Sequence, residues 1–196
     1  LGAAPCRQHG GPGAPACRGR KRGQQHEALG RSRGGFSTKI HVRCDGNGRP
    51  LVFHLTSGEA ADYKALPHLL DGWQVQRSGP GRPRKRPVRL VADRSYSNRY
   101  VRHDLRRRGI GSVIPQPKGQ HPCALIDWRT YAQRNQVERL VGRLKQCRRI
   151  ATRYEKRAAN YLAMLHIAAI MLWLQGGEYD LDVWSQGVVG RIGNES

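Results

Sequence analysis

Apolar and polar residues alternate along FSTKIHVRC, and a second alternating run, RPLVFHLT, follows a DGNG turn. The two read as the strands of an antiparallel hairpin. In SGEAADYKALPHLLDGW, Leu66, Leu69 and Leu70 fall on one side of a capped helix. VRLVAD is a short apolar run ending in Asp93, the pattern of a buried parallel strand. SNRYVRHDLRRRG then predicts a basic helix, and IGSVIPQP another strand. After a proline-containing loop, YAQRNQVERLVGRLKQCRRI predicts a helix with Val137, Leu140, Val141 and Leu144 facing a core. ATRYEKRAANYLAMLHIAAIMLWLQ supplies a last, apolar helix. This order of strands and helices is that of an α/β fold, with a mixed sheet covered by helices.

The flanks have no such period. Residues 1–35 are rich in Gly, Pro and Arg and read as disordered. Residues 36–175 form the domain, and residues 176–196 a turn-rich tail without assigned structure. The last helix is apolar enough to raise a membrane span, but Asn160, Tyr161 and His166 favour a buried helix in a soluble protein. The amino-terminal residues carry no apolar signal core.

Charge changes the picture more. The 35 Lys and Arg outnumber the 14 Asp and Glu, for a formal net charge of +21. An excess of that size suits a polyanion, above all nucleic acid. A membrane-surface protein and an RNA-binding scaffold are the competing classes, and no lipidation motif supports the first. Within the basic loop SGPGRPRKRP, Gly81-Arg82-Pro83 resembles an AT-hook, whose arginine lies in a narrow minor groove; a solvated linker has the same composition. Arg82 and Arg84 are the candidate contacts there. The five cysteines are irregularly spaced and point to a reducing compartment. Cys6, His9, Cys17 and His26 match no common zinc spacing.

One acidic residue stands out on the basic helix. At about 100° per residue, Tyr131, Arg134, Glu138 and Lys145 share a stripe about 60° wide beside the apolar face. The same spacing also suits an ordinary Arg134–Glu138 ion pair, worth a few tenths of a kcal/mol. Asp93, at a strand end, is either a turn former or the partner of Glu138. Two carboxylates near a phosphodiester can hold Mg²⁺, which prefers oxygen ligands, and paired ions can drive in-line displacement. Arg134 and Lys145 would then clamp phosphate.

Tyr131, Arg134, Glu138 and Lys145 spell Y-x2-R-x3-E-x6-K, and the chain resembles bacterial insertion-sequence transposases of the DDE class. GRSRGGFSTKIHV, LVADRSYSN and RLKQCRRIATRYEK extend the resemblance from Gly30 to Leu174. It implies an RNase H-like fold and cleavage of double-stranded DNA at transposon ends with Mg²⁺, or Mn²⁺ as substitute. Strand transfer by the freed 3′ hydroxyl would follow, with a homodimer joining the ends in the bacterial cytoplasm and no membrane involved. By position, Asp93 and Glu138 are catalytic and metal-binding, and Tyr131, Arg134 and Lys145 contact DNA. The family places a further Asp on the first strand of its sheet, upstream of GRSRGG, where the only acidic residue in 1–35 is Glu27. The expectation is a sheet lacking its first, central strand, with backbone groups exposed and with cleavage impaired; the alternative is a non-catalytic DNA-binding remnant. Glu27 and Asp45 are the nearest substitutes, whereas Asp62 and Asp104 suit helix caps or helix surfaces.

Overall fold

The computed structural model describes residues 27–32, 35–71, 74, 81–83, 85–116, 126–175 and 186–193. Arg84 and the cysteine and histidine residues of the first 26 positions lie outside them, as does most of the segment expected to be disordered.

Short β1 (Gly30–Ser32) pairs with the start of β2 (Gly35–Cys44). The hairpin forms as its alternation predicts: β2 runs antiparallel to β3 (Pro50–Ser57), from Thr38↔Ser57 to Cys44↔Pro50. Asp45 builds the turn by accepting from the amides of Asn47 and Arg49 (3.0 and 2.8 Å). Gly48 has φ +75°, a conformation that L side chains rarely adopt. The Leu66–Leu70 region splits into a 3-10 turn (Asp62–Ala65) and the short helix α1 (Leu66–Leu70), with all three predicted leucines buried. Next come β4 (Arg89–Ala92), a 3-10 turn (Arg94–Tyr96), α2 (Arg99–Arg107) and β5 (Gly111–Val113). Asn98 caps α2 through the Tyr100 amide.

The helix read as continuous from Tyr131 is two pieces, α3 (Trp128–Ala132) and α4 (Asn135–Lys145). Between them the amides of Gln133 and Arg134 bond three residues back, to Thr130 and Tyr131, so one turn is tightened. The end of the same predicted helix is set off as α5 (Arg148–Ala151), and the last predicted helix, expected from Ala151, begins only at Ala158 as α6 (Ala158–Gln175).

The centre of the sheet departs from expectation. Within the tail, Gln186–Gly193 forms β6, and the sheet order is β3-β2-β6-β4-β5. β6 is antiparallel to β2 and parallel to β4, which is parallel to β5. The sheet is therefore closed at its middle rather than open there, and both neighbouring strands find hydrogen-bond partners. GVVGRIG carries glycines that weaken any strand pattern, so the pattern along the chain predicts no strand there.

Helices cover both faces. On one, α4, α5 and α6 bury Val137, Leu140, Leu144, Ile150, Tyr161 and Leu165 against Ile40, Val42, Val91 and Val188. On the other, α1 and α2 bury Leu66, Leu69, Val101 and Leu105 against Leu90, Ala92 and Val189. Because both faces are covered, His41 and Arg43 of KIHVRC are buried as well. His41 bonds Tyr96 Oη and Thr56 Oγ1 (both 2.8 Å), and Arg43 donates to the Leu69 carbonyl (2.9 Å). Helix α6 is buried along one side only; Ile167, Ile170, Met171 and Leu174 stand in the open, against the expectation of a buried helix. It is long and apolar enough to cross a membrane by length and composition.

Candidate carboxylate site and basic surface

Asp93 follows β4 directly and caps the 3-10 turn after it, its Oδ1 accepting from the Arg94 amide at 2.6 Å. The turn is pinned from below by Tyr96, fully buried, whose amide bonds the Asp93 carbonyl (3.0 Å) and whose hydroxyl meets His41. Burial pushes the Tyr96 phenol up, and Asp62 adds to it. Tyr96 and His41 both lie in stretches that carry the family resemblance, but nothing in the spacing of either marks the contact between them.

Asp127 caps α3 through the amides of Arg129 and Thr130 and the Thr130 hydroxyl (3.1, 3.2 and 2.5 Å). The tightened turn after α3 stacks residues three apart. It brings the Arg134 guanidinium over the Tyr131 ring, 5.7 Å from its centroid, while the Trp128 ring meets Tyr131 edge-on at 5.7 Å. Arg134 also reaches forward one turn to Glu138, Nη1 to Oε1 at 2.7 Å. Burial lowers the Arg134 pKa, but the Glu138 bond and the charges of Tyr131, Glu138 and Asp93 outweigh it, and the net direction is upward. The Arg134 guanidinium thus holds Glu138 directly and also feels the charge of Asp93. Among the described residues Arg134 Nε is buried without a hydrogen-bond partner.

Tyr131, Arg134 and Glu138 are brought together, as the stripe requires, though by a tight turn rather than a straight helix. Lys145 is separate: it lies seven residues beyond Glu138 on α4, about 10 Å away by helical rise, and is exposed. Arg139, Arg143, Arg148 and Arg149 are exposed near it. Arg143 donates to the Gly48 carbonyl (3.0 Å), tying the hairpin turn to α4. Arg82, in the basic loop, is exposed.

The acidic residues considered as substitutes are engaged elsewhere. Glu27 caps α6, accepting from the Ala158 amide at 2.6 Å, and Asp45 serves the hairpin turn. Asp62 and Asp104 are not surface groups. Asp62 is buried between Lys39 and Arg191 (3.0 and 2.7 Å), and Asp104 is buried with Arg107 and Arg108 (2.9 and 2.8 Å). Among the described residues no three His, Cys, Asp or Glu side chains gather as metal ligands. With Glu138 held by Arg134 and Asp93 held by an amide, this donor set does not fit a two-ion centre.

Comparison with known proteins finds the family described as "Transposase DDE domain" over residues 11–174. A protein assigned as transposase for insertion sequence element IS402 of Burkholderia cepacia is 34% identical over 135 residues, covering 69% of this chain and 62% of the relative. One assigned as transposase for element IS6501 of Brucella ovis is 30% identical over 142 residues, covering 71% of this chain and 100% of the relative. The chain thus spans less than two thirds of the length of the first relative and all of the second. No solved structure matches it.

Proposed function

Since the chain belongs to the DDE-domain transposase family, we propose that it binds double-stranded DNA at insertion-sequence ends and is impaired in the metal-dependent cleavage and strand transfer of its class. The observation that carries this reading is the ion pair that holds Glu138 on the Arg134 guanidinium, with no group of three acidic or other metal-ligating side chains among the described residues. A mixed sheet with helices on both faces, Asp93 at a strand end and Glu138 on the helix packed beside it, supports an RNase H-like domain over residues 36–175, extended by the tail strand.

In this reading Asp93 and Glu138 are the catalytic acids, and members of the family generally use divalent metal ions. Mg²⁺ is the ion the pair would draw, with Mn²⁺ as substitute, and a donor set of two engaged carboxylates holds either weakly. Tyr131, Arg134 and Lys145 position the strand at the acids. Arg82 and Arg84 follow the duplex in its minor groove. The net charge of +21 supplies sequence-independent affinity. Two ends must be joined, so the working form on DNA is a homodimer, acting in the bacterial cytoplasm.

The test is a pair of assays on the purified chain: duplex binding in chelator, and nicking of supercoiled plasmid in Mg²⁺, Mn²⁺ and chelator, with Glu138→Gln alongside. Duplex binding without metal, with nicking no faster than in Glu138→Gln, is the expected result. Robust nicking abolished by both Asp93→Ala and Glu138→Ala overturns the impairment. Preference for structured RNA over duplex DNA overturns the substrate.

A further inference from the structure

The central strand is made by residues that the family match does not reach. That match ends at residue 174, whereas β6 is Gln186–Gly193. The strand is nevertheless firmly seated. It pairs with β2 from Lys39↔Gly193 to Cys44↔Val188, and with β4 from Arg89↔Gln186 to Ala92↔Val189. Val188 and Val189 are fully buried, one on each face of the sheet. Arg191 completes the hold by its ion pair with buried Asp62 (2.7 Å).

The register has a chemical consequence. One step beyond Ala92↔Val189, Gly190 comes abreast of Asp93. Side chains alternate along a strand. Val188 lies on the α4 face, so position 190 faces α4 as well, the helix that carries Glu138. A side chain on the central strand at position 190 would therefore project toward α4 beside the end of β4, against Val137, the residue before Glu138. Gly190 has none, and the space is taken: a Cβ built there would lie 2.1 Å from Val137 Cγ1, with the next two nearest atoms also those of Val137. Val137 directly precedes Glu138.

We propose that β6 is a surrogate central strand that completes the sheet while closing the acidic site, with Gly190 and Val137 together occupying the place of a third carboxylate. This rests on the reading of the chain as a DNA binder with impaired cleavage, and it adds the Gly190–Val137 contact to the engagement of Asp93 and Glu138 as a cause of the impairment. The position is latent: an acid at 190, with room made at 137, converts the Asp93–Glu138 pair into a site for a divalent cation.

Two measurements on the full chain test it. First, Cys44 lies opposite Val188, and paired strands hold Cα atoms about 4.5–5.5 Å apart, within disulfide reach. Oxidation of Val188→Cys should therefore link that position to Cys44, as mapped by peptide mass spectrometry. A chain that keeps its native melting transition but yields no such link overturns the strand placement. Second, Mn²⁺ binding is followed by the electron spin resonance of the free ion. Wild type and Val137→Ala should bind it no more than twofold better than wild type carrying Glu138→Gln. Gly190→Asp with Val137→Ala should bind it at least tenfold more tightly and lose the gain when Glu138→Gln is added. Wild-type binding that depends on Glu138, or a folded double variant no better than Val137→Ala, overturns the proposal. If the double variant fails to fold, Gly190→Asp with Val137→Gly takes its place, and if that also fails the cross-link decides. Duplex binding in chelator is measured throughout: its absence is a failure of the DNA-binding reading, whereas its presence with a negative result above is a failure of this inference alone.

Discussion

His41 shows how a single residue couples the fold to its surroundings. It is fully buried on β2, bonded to Tyr96 and Thr56, and burial lowers its pKa to about 4, with Asp62 opposing and His54, Lys39 and Arg191 assisting. An unfolded histidine titrates near 6.5. Between these values the unfolded chain binds the extra proton, so stability is fully present above about pH 6.5 and is lost as the pH falls toward 4. The loss at pH 4 is on the order of 3 kcal/mol. His54, lowered by burial and by the neighbouring His68, acts in the same direction. The expected outcome is a melting temperature that drops between pH 6.5 and 4, with a shallower drop in His41→Gln; equal slopes for the two chains would contradict it. None of this follows from KIHVRC alone, which alternates as a half-exposed strand would.

At the scale of elements, the contact that matters is α4 on β6. Val137, Leu140 and Leu144 repeat at helical spacing and bury the face that the pattern marks. Their partner on the central strand is a glycine because the helix comes down onto it. Gly190→Ala should cost roughly 1–3 kcal/mol by overpacking. Adding Val137→Ala should recover part of that cost, a positive coupling in a double-mutant cycle read from denaturant unfolding. Strict additivity would place the two residues apart. The same element scale explains the helix that came in two pieces. Helical periodicity locates Tyr131 to Lys145 well, but the projection assumes uniform rotation, whereas one tightened turn at Gln133–Arg134 sets how Tyr131 and Arg134 meet Glu138; Lys145 stands apart simply because it lies about two helical turns further along α4.

For the whole molecule, charge dominates. Exposed Arg139, Arg143, Lys145, Arg148 and Arg149 continue from the acidic site along α4 and α5. Binding through phosphates releases counterions, so the logarithm of affinity for duplex DNA should fall linearly with the logarithm of salt concentration. Lys145→Ala should weaken binding evenly across sequences and make that slope shallower by about one, as measured by fluorescence anisotropy over a salt series. An unchanged slope would remove Lys145 from the phosphate contacts.

Much of this protein was legible along the chain. The hairpin, the apolar faces of the helices, β4 ending at Asp93 and the Arg134–Glu138 spacing are local patterns, each set by residues close together in sequence. Composition alone pointed to a polyanion partner, because net charge is a sum that no fold alters. The centre of the sheet was decided only in three dimensions. GVVGRIG has little strand propensity of its own, yet it takes the central place because two strands already in position offer it hydrogen bonds on both sides and two cores take Val188 and Val189. What stands beside Asp93 was decided in the same way, since a register between strands nearly a hundred residues apart leaves no trace in the sequence of either.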